Sequence, residues 1–179
     1  SAAEILARKK NLRVLVAPAP RSDDLDMRRI ENGFVAQRRD QVVKTQPGKL
    51  PDTWEQVGEQ PLSDDLLIDL RFAWIVAAHA KSNAIVIAKN RAAVGIGAGD
   101  QSRVGAARRA LQQAGDRAYG GVVASDGFFP FRDGVDTLGD AGVVAIVEPG
   151  GSMRDDDVVA AADEHGMAIV FTNTRHFRH

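Results

Sequence analysis

Residues 143–147, Val-Val-Ala-Ile-Val, form an unbroken apolar run that ends at Glu148-Pro149-Gly150-Gly151. A run of this length without polar alternation is typical of a strand covered on both faces. Similar runs recur along the chain, and each predicts a strand: Val14–Ala17, Ala84–Ala88, Met167–Phe171 and, less apolar because of its two glycines, Gly120–Ala124.

Helical patterns separate these runs. Ser63 provides a capping hydroxyl before two acids, and an apolar stripe at helical spacing follows: Leu66, Leu67, Leu70, Ala73, Trp74, Ala77 and Ala78. A second helix begins at Ser102 and ends at Gly115, with an apolar face of Val104, Ala107, Leu111 and Ala114. A third begins near Asp155 and ends at Gly166, burying Val158, Val159 and Ala162. Strands alternating with helices predict a three-layer α/β fold, with a mostly parallel or mixed sheet and helices on both faces.

The length of 179 residues predicts one domain over residues 1–179. Residues 1–10 have the pattern of the last turns of a preceding helix, and residues 41–60, with their prolines and glycines, are predicted to form a long loop. A start at Ser1 inside a helical pattern leads us to expect a fragment of a longer protein, with a processed or trimmed start as the alternative.

Composition narrows the class of protein. The chain has 23 Lys and Arg against 24 Asp and Glu, so it lacks the positive field that nucleic-acid binding requires. It has no cysteine, which excludes a disulfide framework, a thiol nucleophile and a cysteine-based zinc site. No apolar run approaches the roughly 20 residues that span a bilayer. We therefore expect a cytoplasmic protein that binds neither nucleic acid nor membrane.

A glycine-rich tract, Val94-Gly-Ile-Gly-Ala-Gly-Asp-Gln-Ser-Arg103, leads into the second predicted helix. Glycines before a helix N-terminus suit an anion or a flat polar ligand, but they also occur in plain strand-to-helix links. From Gly95 the tract has the pattern G-x-G-x-x-D, so it lacks the third glycine of the dinucleotide-binding fingerprint. A nicotinamide-dependent oxidoreductase therefore remains only a minor alternative.

A phenylalanine-rich tract, Ser125-Asp-Gly-Phe-Phe-Pro-Phe-Arg-Asp-Gly134, follows the strand predicted at residues 120–124. Its aromatic side chains either fill the core or form the wall of a pocket for a flat ring, with Asp126 and Asp133 as acceptors. The two acids are also a conceivable carboxylate pair for glycoside hydrolysis, although nothing in the sequence defines their separation.

Polar loops follow three successive predicted strands. They are the phenylalanine-rich tract, the turn Glu148–Ser152, and the tail Thr172–His179, which contains two arginines and two histidines. Ligands of open α/β sheets bind at the carboxyl ends of the strands. The three loops together therefore predict a pocket at that edge, although the tail alone has the composition of an ordinary solvated chain end.

Four motifs in this order resemble the C-terminal part of the bifunctional AICAR transformylase/IMP cyclohydrolase family: Lys81–Ala84, Gly95–Arg103, Ser125–Asp133 and Arg175–His179. The resemblance covers most of the chain, and it implies the second half of the transformylase domain, a cytidine-deaminase-like half-domain without zinc. It implies transfer of a formyl group from 10-formyltetrahydrofolate to the 5-amino group of AICAR at a homodimer interface. The family's Lys-Lys-His-Asn-Pro-Cys-Gly tract, which supplies the catalytic Lys and His, is absent here, so the fragment is expected to be inactive alone.

The resemblance also implies roles for single residues. Asn83 matches the asparagine that contacts the reacting centre. AICAR binding is implied for Arg103 and the Phe128 backbone at the carboxamide and for Arg175 at the phosphate. A folate-pocket wall is implied for Val104, Pro130, Phe131, Asp133 and Ser152. Asp126 matches an acid near the AICAR and a monovalent cation, such as potassium, in some members. The alternative is a non-catalytic half-domain that binds a nucleotide or folate.

Overall fold

The computed structural model describes residues 5–6, 11–15, 17–18, 25–38, 40, 42 and 50–178. The chain divides into two compact units, Ser1–Gln41 and Val42–His179. The first contains an antiparallel hairpin of β1 (Leu25–Ile30) and β2 (Gly33–Arg38), paired from Leu25 with Arg38 to Ile30 with Gly33. This hairpin was not predicted from the sequence, because its strands lack a continuous apolar run.

The strand predicted at Val14–Ala17 is wrong. Val14, Leu15 and Ala17 have no regular structure, and the Leu15 side chain is 92% exposed, while Val16 lies outside the described residues. Apolar composition alone does not produce a strand, because a strand also needs a neighbouring strand to pair with. Of the helix predicted over residues 1–10, only Ile5 and Leu6 are described, and both are helical.

The second unit is built on a mixed six-stranded sheet in the order β3-β8-β7-β6-β4-β5. The strands are β3 (Glu55–Val57), β4 (Ile85–Lys89), β5 (Ala92–Gly97), β6 (Val122–Ser125), β7 (Ala145–Glu148) and β8 (Ala168–Phe171). β6, β7 and β8 run parallel, while β4 is antiparallel to both β5 and β6, and β3 is antiparallel to β8. The predicted strands at 84–88, 120–124, 143–147 and 167–171 are therefore confirmed within two residues at each end.

Helices cover both faces of this sheet: α1 (Asp64–His79), α2 (Arg103–Ala114), α3 (Asp133–Asp140) and α4 (Asp155–Glu164). The α1 residues Leu70, Ala73 and Trp74 pack on one face with Val86 and Val122. Side chains of α2, α3 and α4 pack on the other face, around Ile87 and Ile146 of the sheet. This arrangement confirms the three-layer α/β fold. Within the described ranges, no helix is both long and apolar enough to cross a membrane.

The predicted helix starts are confirmed by their caps. The Ser63 hydroxyl accepts a hydrogen bond from the Leu66 N–H, and the Ser102 hydroxyl accepts one from the Gly105 N–H. Gly115 is the C-cap of α2, with a φ of +55°. The predicted apolar stripes are correct in position, although Val104 and Leu111 are only half-buried while Ala106 and Ala110 are buried.

Three elements differ from the sequence expectation. The eight-residue α3 contains two glycines, which weaken the helical signal. β3 lies within residues 41–60, which were expected to form a loop and of which 41 and 43–49 are outside the described residues. β5 includes Gly95 and Gly97, whose missing side chains let α2 pack closely against the strand. A Cβ built at Gly97 would lie 1.9 Å from the Ala106 carbonyl oxygen, and one at Gly95 would lie 2.1 Å from that of Ala110. These two glycines therefore serve helix–sheet packing.

Candidate functional site

A cleft of about 530 Å³ opens where chain segments leave β6 and β8 and where α2 begins. Eight predicted site residues line it: Asn83, Arg103, Val104, Phe128, Pro130, Phe131, Asp133 and Arg175. Gln101, Ser102, Gly127, Phe129 and Phe177 complete the lining. The asparagine, the phenylalanine-rich turn (residues 126–132) and the arginine near the carboxyl end thus converge on one cleft.

Parallel strands explain this convergence. Because β6, β7 and β8 run in the same direction, the segments that follow them start at the same edge of the sheet. Asn83 joins from the neighbouring antiparallel strand, since it lies two residues before β4. The tail is anchored at this edge, because the His176 N–H donates to the Asp126 carbonyl oxygen at 2.9 Å and His176 is 2% exposed. It is therefore not an ordinary solvated chain end.

Arg103 is the centre of a largely buried polar network at the cleft. Its Nη1 donates to Ser125 Oγ at 2.8 Å and to Asp126 Oδ1 at 2.5 Å, and its Nη2 donates to Asn83 Oδ1 at 3.0 Å. Asn83 Nδ2 in turn donates to the Asp100 carbonyl oxygen at 3.0 Å. These bonds orient the Asn83 amide and place a neutralised guanidinium beside it.

Asp126 lies below the cleft and does not line it. Its carboxylate is 1% exposed and accepts hydrogen bonds from Arg103, the Ala84 N–H and the Ser82 hydroxyl. These three donors, one of them positively charged, hold the carboxylate in place. A monovalent cation near Asp126 stays a prediction. In the described part of the chain, no group of three or more His, Cys, Asp or Glu side chains is arranged to hold a metal ion.

The three phenylalanines of the turn divide between core and cleft. Phe129 is fully buried, and its ring lies against Gly134, where a built Cβ would be 2.6 Å from Phe129 Cδ1. Phe128 and Phe131 are 37% and 54% exposed and line the cleft. Both readings of this tract therefore hold, each for different residues.

Polar groups stand at the cleft's rim. Asp133 is exposed, begins α3, and accepts from the Gly134 N–H through Oδ1 at 2.8 Å. Arg175 is exposed, and its Cζ lies 5.4 Å from the centroid of the Phe177 ring. Since Asp126 neutralises Arg103, Arg175 is the cation among the lining residues that remains available to an anion.

Ser152 is the predicted folate-wall residue that the structure places outside this lining. Its hydroxyl accepts from the Arg154 N–H at 3.1 Å, and its own N–H donates to Asp155 Oδ1 at 2.9 Å. The Arg154 guanidinium lies 5.3 Å from the centroid of the Phe131 ring, so the loop after β7 approaches the cleft through Arg154.

Five lining residues were not predicted as site residues: Gln101, Ser102, Gly127, Phe129 and Phe177. Glu148, which does not line the cleft, was not predicted either. Phe177 lies two positions after Arg175, and residues at i and i+2 of an extended segment face the same side. This spacing could have predicted Phe177 as a site residue. Glu148 is fully buried at the end of β7, and its Oε2 accepts from the Phe129 N–H at 2.7 Å. Burial raises the pKa of Glu148 to about 8, with a further upward contribution from the Asp155 charge. No sequence signal distinguishes this acid from a solvated one.

The arrangement can hold a flat ligand that carries an anionic group. Phe128, Phe131 and Phe177 supply apolar ring surface, Arg175 supplies a positive charge, and Asp133 supplies an acceptor for N–H groups. Gly95, Gly97 and Gly99 do not line the cleft, whereas Gln101, Ser102 and Arg103 at the end of the glycine-rich tract do.

Proteins of known sequence resemble the whole chain. It is 51% identical to the bifunctional purine biosynthesis protein PurH of Synechococcus elongatus over 100% of this chain and 34% of that protein. The PurH proteins of Roseobacter denitrificans and Acaryochloris marina are each 47% identical over 99% of this chain and 35% and 33% of their own lengths. The chain thus spans about a third of the length of these relatives.

Among solved structures, a RibD of Acinetobacter baumannii aligns with a TM-score of 0.43 and 19% identity, over 58% of this chain and 35% of that one. That likeness is too slight to show a common fold. The family model described as AICARFT/IMPCHase bienzyme matches residues 1–113. The chain therefore belongs to the AICARFT/IMPCHase bienzyme family.

Proposed function

We propose that this chain is the second half of a transformylase domain, and that the complete protein is a phosphoribosylaminoimidazolecarboxamide formyltransferase. It transfers the formyl group of 10-formyltetrahydrofolate to the 5-amino group of AICAR in purine biosynthesis. The observation that carries the proposal is the convergence of Asn83, the phenylalanine-rich turn and Arg175 on one cleft. The membership in a bienzyme family whose name contains this activity supports it.

In this proposal, AICAR occupies the part of the cleft nearest Arg175. The exposed guanidinium binds the nucleotide phosphate with a planar fork of N–H donors. The Phe128 backbone and Arg103 hold the carboxamide. Three of the five Arg103 N–H groups already donate to protein oxygens, which leaves donors for a ligand without loosening the buried ion pair.

The folate ring system lies against the apolar wall formed by Val104, Pro130 and Phe131. Asp133 accepts hydrogen bonds from the amino and ring N–H groups of the pterin. Ser152 is not part of the cleft lining. This placement makes Ser152 the weakest of the proposed folate contacts.

Asn83 is the proposed catalytic group on this chain. The AICAR amine is conjugated with its ring, so it is a weak nucleophile and needs orientation, a base and stabilisation of the tetrahedral intermediate. Asn83 Nδ2 has two N–H groups, of which one donates to the Asp100 carbonyl oxygen. The other stabilises the formyl oxygen as negative charge develops on it.

The general base comes from the part of the complete protein that this chain does not contain. Among the described residues, no histidine and no lysine lines the cleft. The isolated chain is therefore expected to bind substrate parts and to have little or no turnover. In the complete cytoplasmic protein, the remaining parts supply the first half of the site, the homodimer partner and the IMP cyclohydrolase domain.

Two substitutions in the complete reading frame test the proposal. Asn83→Ala is expected to lower kcat by about 10²- to 10³-fold, the usual loss for one oxyanion donor, with a smaller change in KM. Arg175→Ala is expected to raise the KM for AICAR by tenfold or more, because it removes a charge-assisted contact. Arg108→Ala, an exposed arginine outside the cleft, is the matched control.

Wild-type kinetics in both cleft variants would contradict these assignments. Because the cleft residues serve binding in both candidate functions, calorimetry has to be combined with a formyl-transfer assay to separate them. A complete protein that binds AICAR or a folate analogue, loses that binding in Arg175→Ala, and transfers no formyl group would instead be the non-catalytic half-domain binder.

A further inference from the structure

Glu148 is a buried carboxyl group at the centre of the edge that forms the site. It is the last residue of β7, between β6 and β8, and it is fully buried. Since side chains alternate along a strand, it shares a sheet face with Ile146, in the layer of α2, α3 and α4. An isolated carboxylate in such a place is unfavourable, so its presence needs a reason.

Its hydrogen bond supplies that reason. Oε2 accepts from the Phe129 N–H at 2.7 Å, and the Phe129 ring is packed in the same core. The residues on either side, Phe128 and Pro130, both line the cleft. Phe129 is therefore held both by its ring and by its N–H. These two contacts fix the positions of Phe128 and Pro130 in the cleft wall.

The surroundings of the carboxyl group favour its neutral form. Burial, with a smaller contribution from the Asp155 charge at the start of α4, raises the pKa of Glu148 from its ordinary value of 4.5 to about 8. The Phe129 N–H and Arg103, at the start of α2, oppose that change. Within the described residues, Oε1 has no hydrogen-bond partner. A protonated acid keeps one carbonyl-type oxygen that accepts the N–H, so the bond needs no buried charge.

We infer that Glu148 is a positioning residue of the cleft, whose buried carboxyl group accepts the Phe129 N–H and thereby fixes the Phe128–Pro130 backbone where it faces the ligands. An apolar side chain in its place would leave the Phe129 N–H buried without an acceptor and free the turn to shift. A glutamine would keep the acceptor. The identity of the ligands rests on the proposed function, whereas the hydrogen bond does not.

Hydrogen exchange of the Phe129 amide tests the bond in the 179-residue chain itself. Glu148→Gln is expected to keep the protection factor within threefold of wild type, and Glu148→Leu to lower it by at least tenfold. Ile146→Val, on the same strand and sheet face, is the control for lost core packing, and it should change this amide no more than its neighbours. If the Phe129 amide is equally protected in the wild type and in a folded Glu148→Leu variant, the inference is wrong.

A pH series keeps the inference testable if Glu148→Leu does not fold. Between about 4.5 and 8 the closed form retains a proton that the open form releases. Protection of Phe129 should therefore fall as pH rises, by up to tenfold per pH unit relative to Glu148→Gln, and this extra fall should end near pH 8. Identical pH profiles for wild type and Glu148→Gln would overturn the inference.

Kinetics of the complete protein then show the functional effect. Glu148→Leu is expected to raise the KM for the folate and for AICAR about tenfold with a smaller change in kcat, and Glu148→Gln to restore both. Ile146→Val should lower the melting temperature without changing either KM. If Ile146→Val raises KM equally, Glu148 acts through stability alone and the inference fails. If the wild-type complete protein transfers no formyl group, the proposed function is wrong. The hydrogen-exchange data would still test the Glu148–Phe129 hydrogen bond, because they do not depend on that activity.

Discussion

The function of a charged residue in this protein depends on the atoms that surround it. Arg103 and Arg175 are both arginines near the same cleft, yet Arg103 is 8% exposed and paired with Asp126, whereas Arg175 is exposed. The sequence motifs predicted that both arginines contact a ligand. Only the distances show that one mainly holds the protein together and the other is available to an anion.

Arg103→Met is expected to destabilise the chain by about 3–5 kcal/mol, because it leaves the buried Asp126 carboxylate without its counter-charge. Urea denaturation of the 179-residue chain measures this change. Arg132→Met provides the matched control, since its ion pairs with Asp136 and Glu164 are far more exposed to solvent than the Arg103–Asp126 pair and are therefore screened. An equal loss of stability in the two variants would contradict the buried role of Arg103.

At the scale of elements, close approach of β5 and α2 explains a tract that resembled a ligand-binding loop. Alternate glycines in β5 face α2, so the helix backbone rests directly on the strand. Arg103 and Val104 at the start of this helix both line the cleft. The glycines therefore affect the site through the position of a helix.

Gly97→Ala is expected to destabilise the protein by about 1–3 kcal/mol or more, because its Cβ would lie 1.9 Å from the Ala106 carbonyl oxygen and force the helix away. Gly33→Ala, where nothing lies within 4 Å of the added Cβ, should stay within about 0.5 kcal/mol of wild type. Thermal unfolding followed by circular dichroism compares the two. If the Gly97→Ala protein is as stable as the Gly33→Ala protein, α2 moves away from the added Cβ at little cost in stability, and the prediction is wrong.

At the scale of the molecule, both hydrophobic clusters belong to the second unit. Every residue of the two clusters lies between Leu50 and Phe171, and so does every element of the six-stranded sheet. All residues that line the cleft also belong to this unit.

Deletion of residues 1–41 is therefore expected to leave the melting temperature within a few degrees of the intact chain, since it removes no residue of either cluster. Differential scanning calorimetry of the shortened chain gives this value. Loss of the cooperative transition would mean that the first unit is required for folding of the second.

The alternation of strands and helices, the caps at Ser63 and Ser102, and the position of the polar loops at one edge of the sheet could all be predicted from the amino-acid order. These features follow from local periodicity and from hydrogen bonds between residues close in the chain. The tertiary structure alone decided that Phe129 fills the core while Phe128 and Phe131 face the cleft, that Asp126 neutralises Arg103, and that Glu148 is buried. Those outcomes depend on partners 19 to 23 residues apart, such as Phe129 with Glu148 and Arg103 with Asp126. Burial and charge pairing are long-range properties, and only the packed layers bring such partners together.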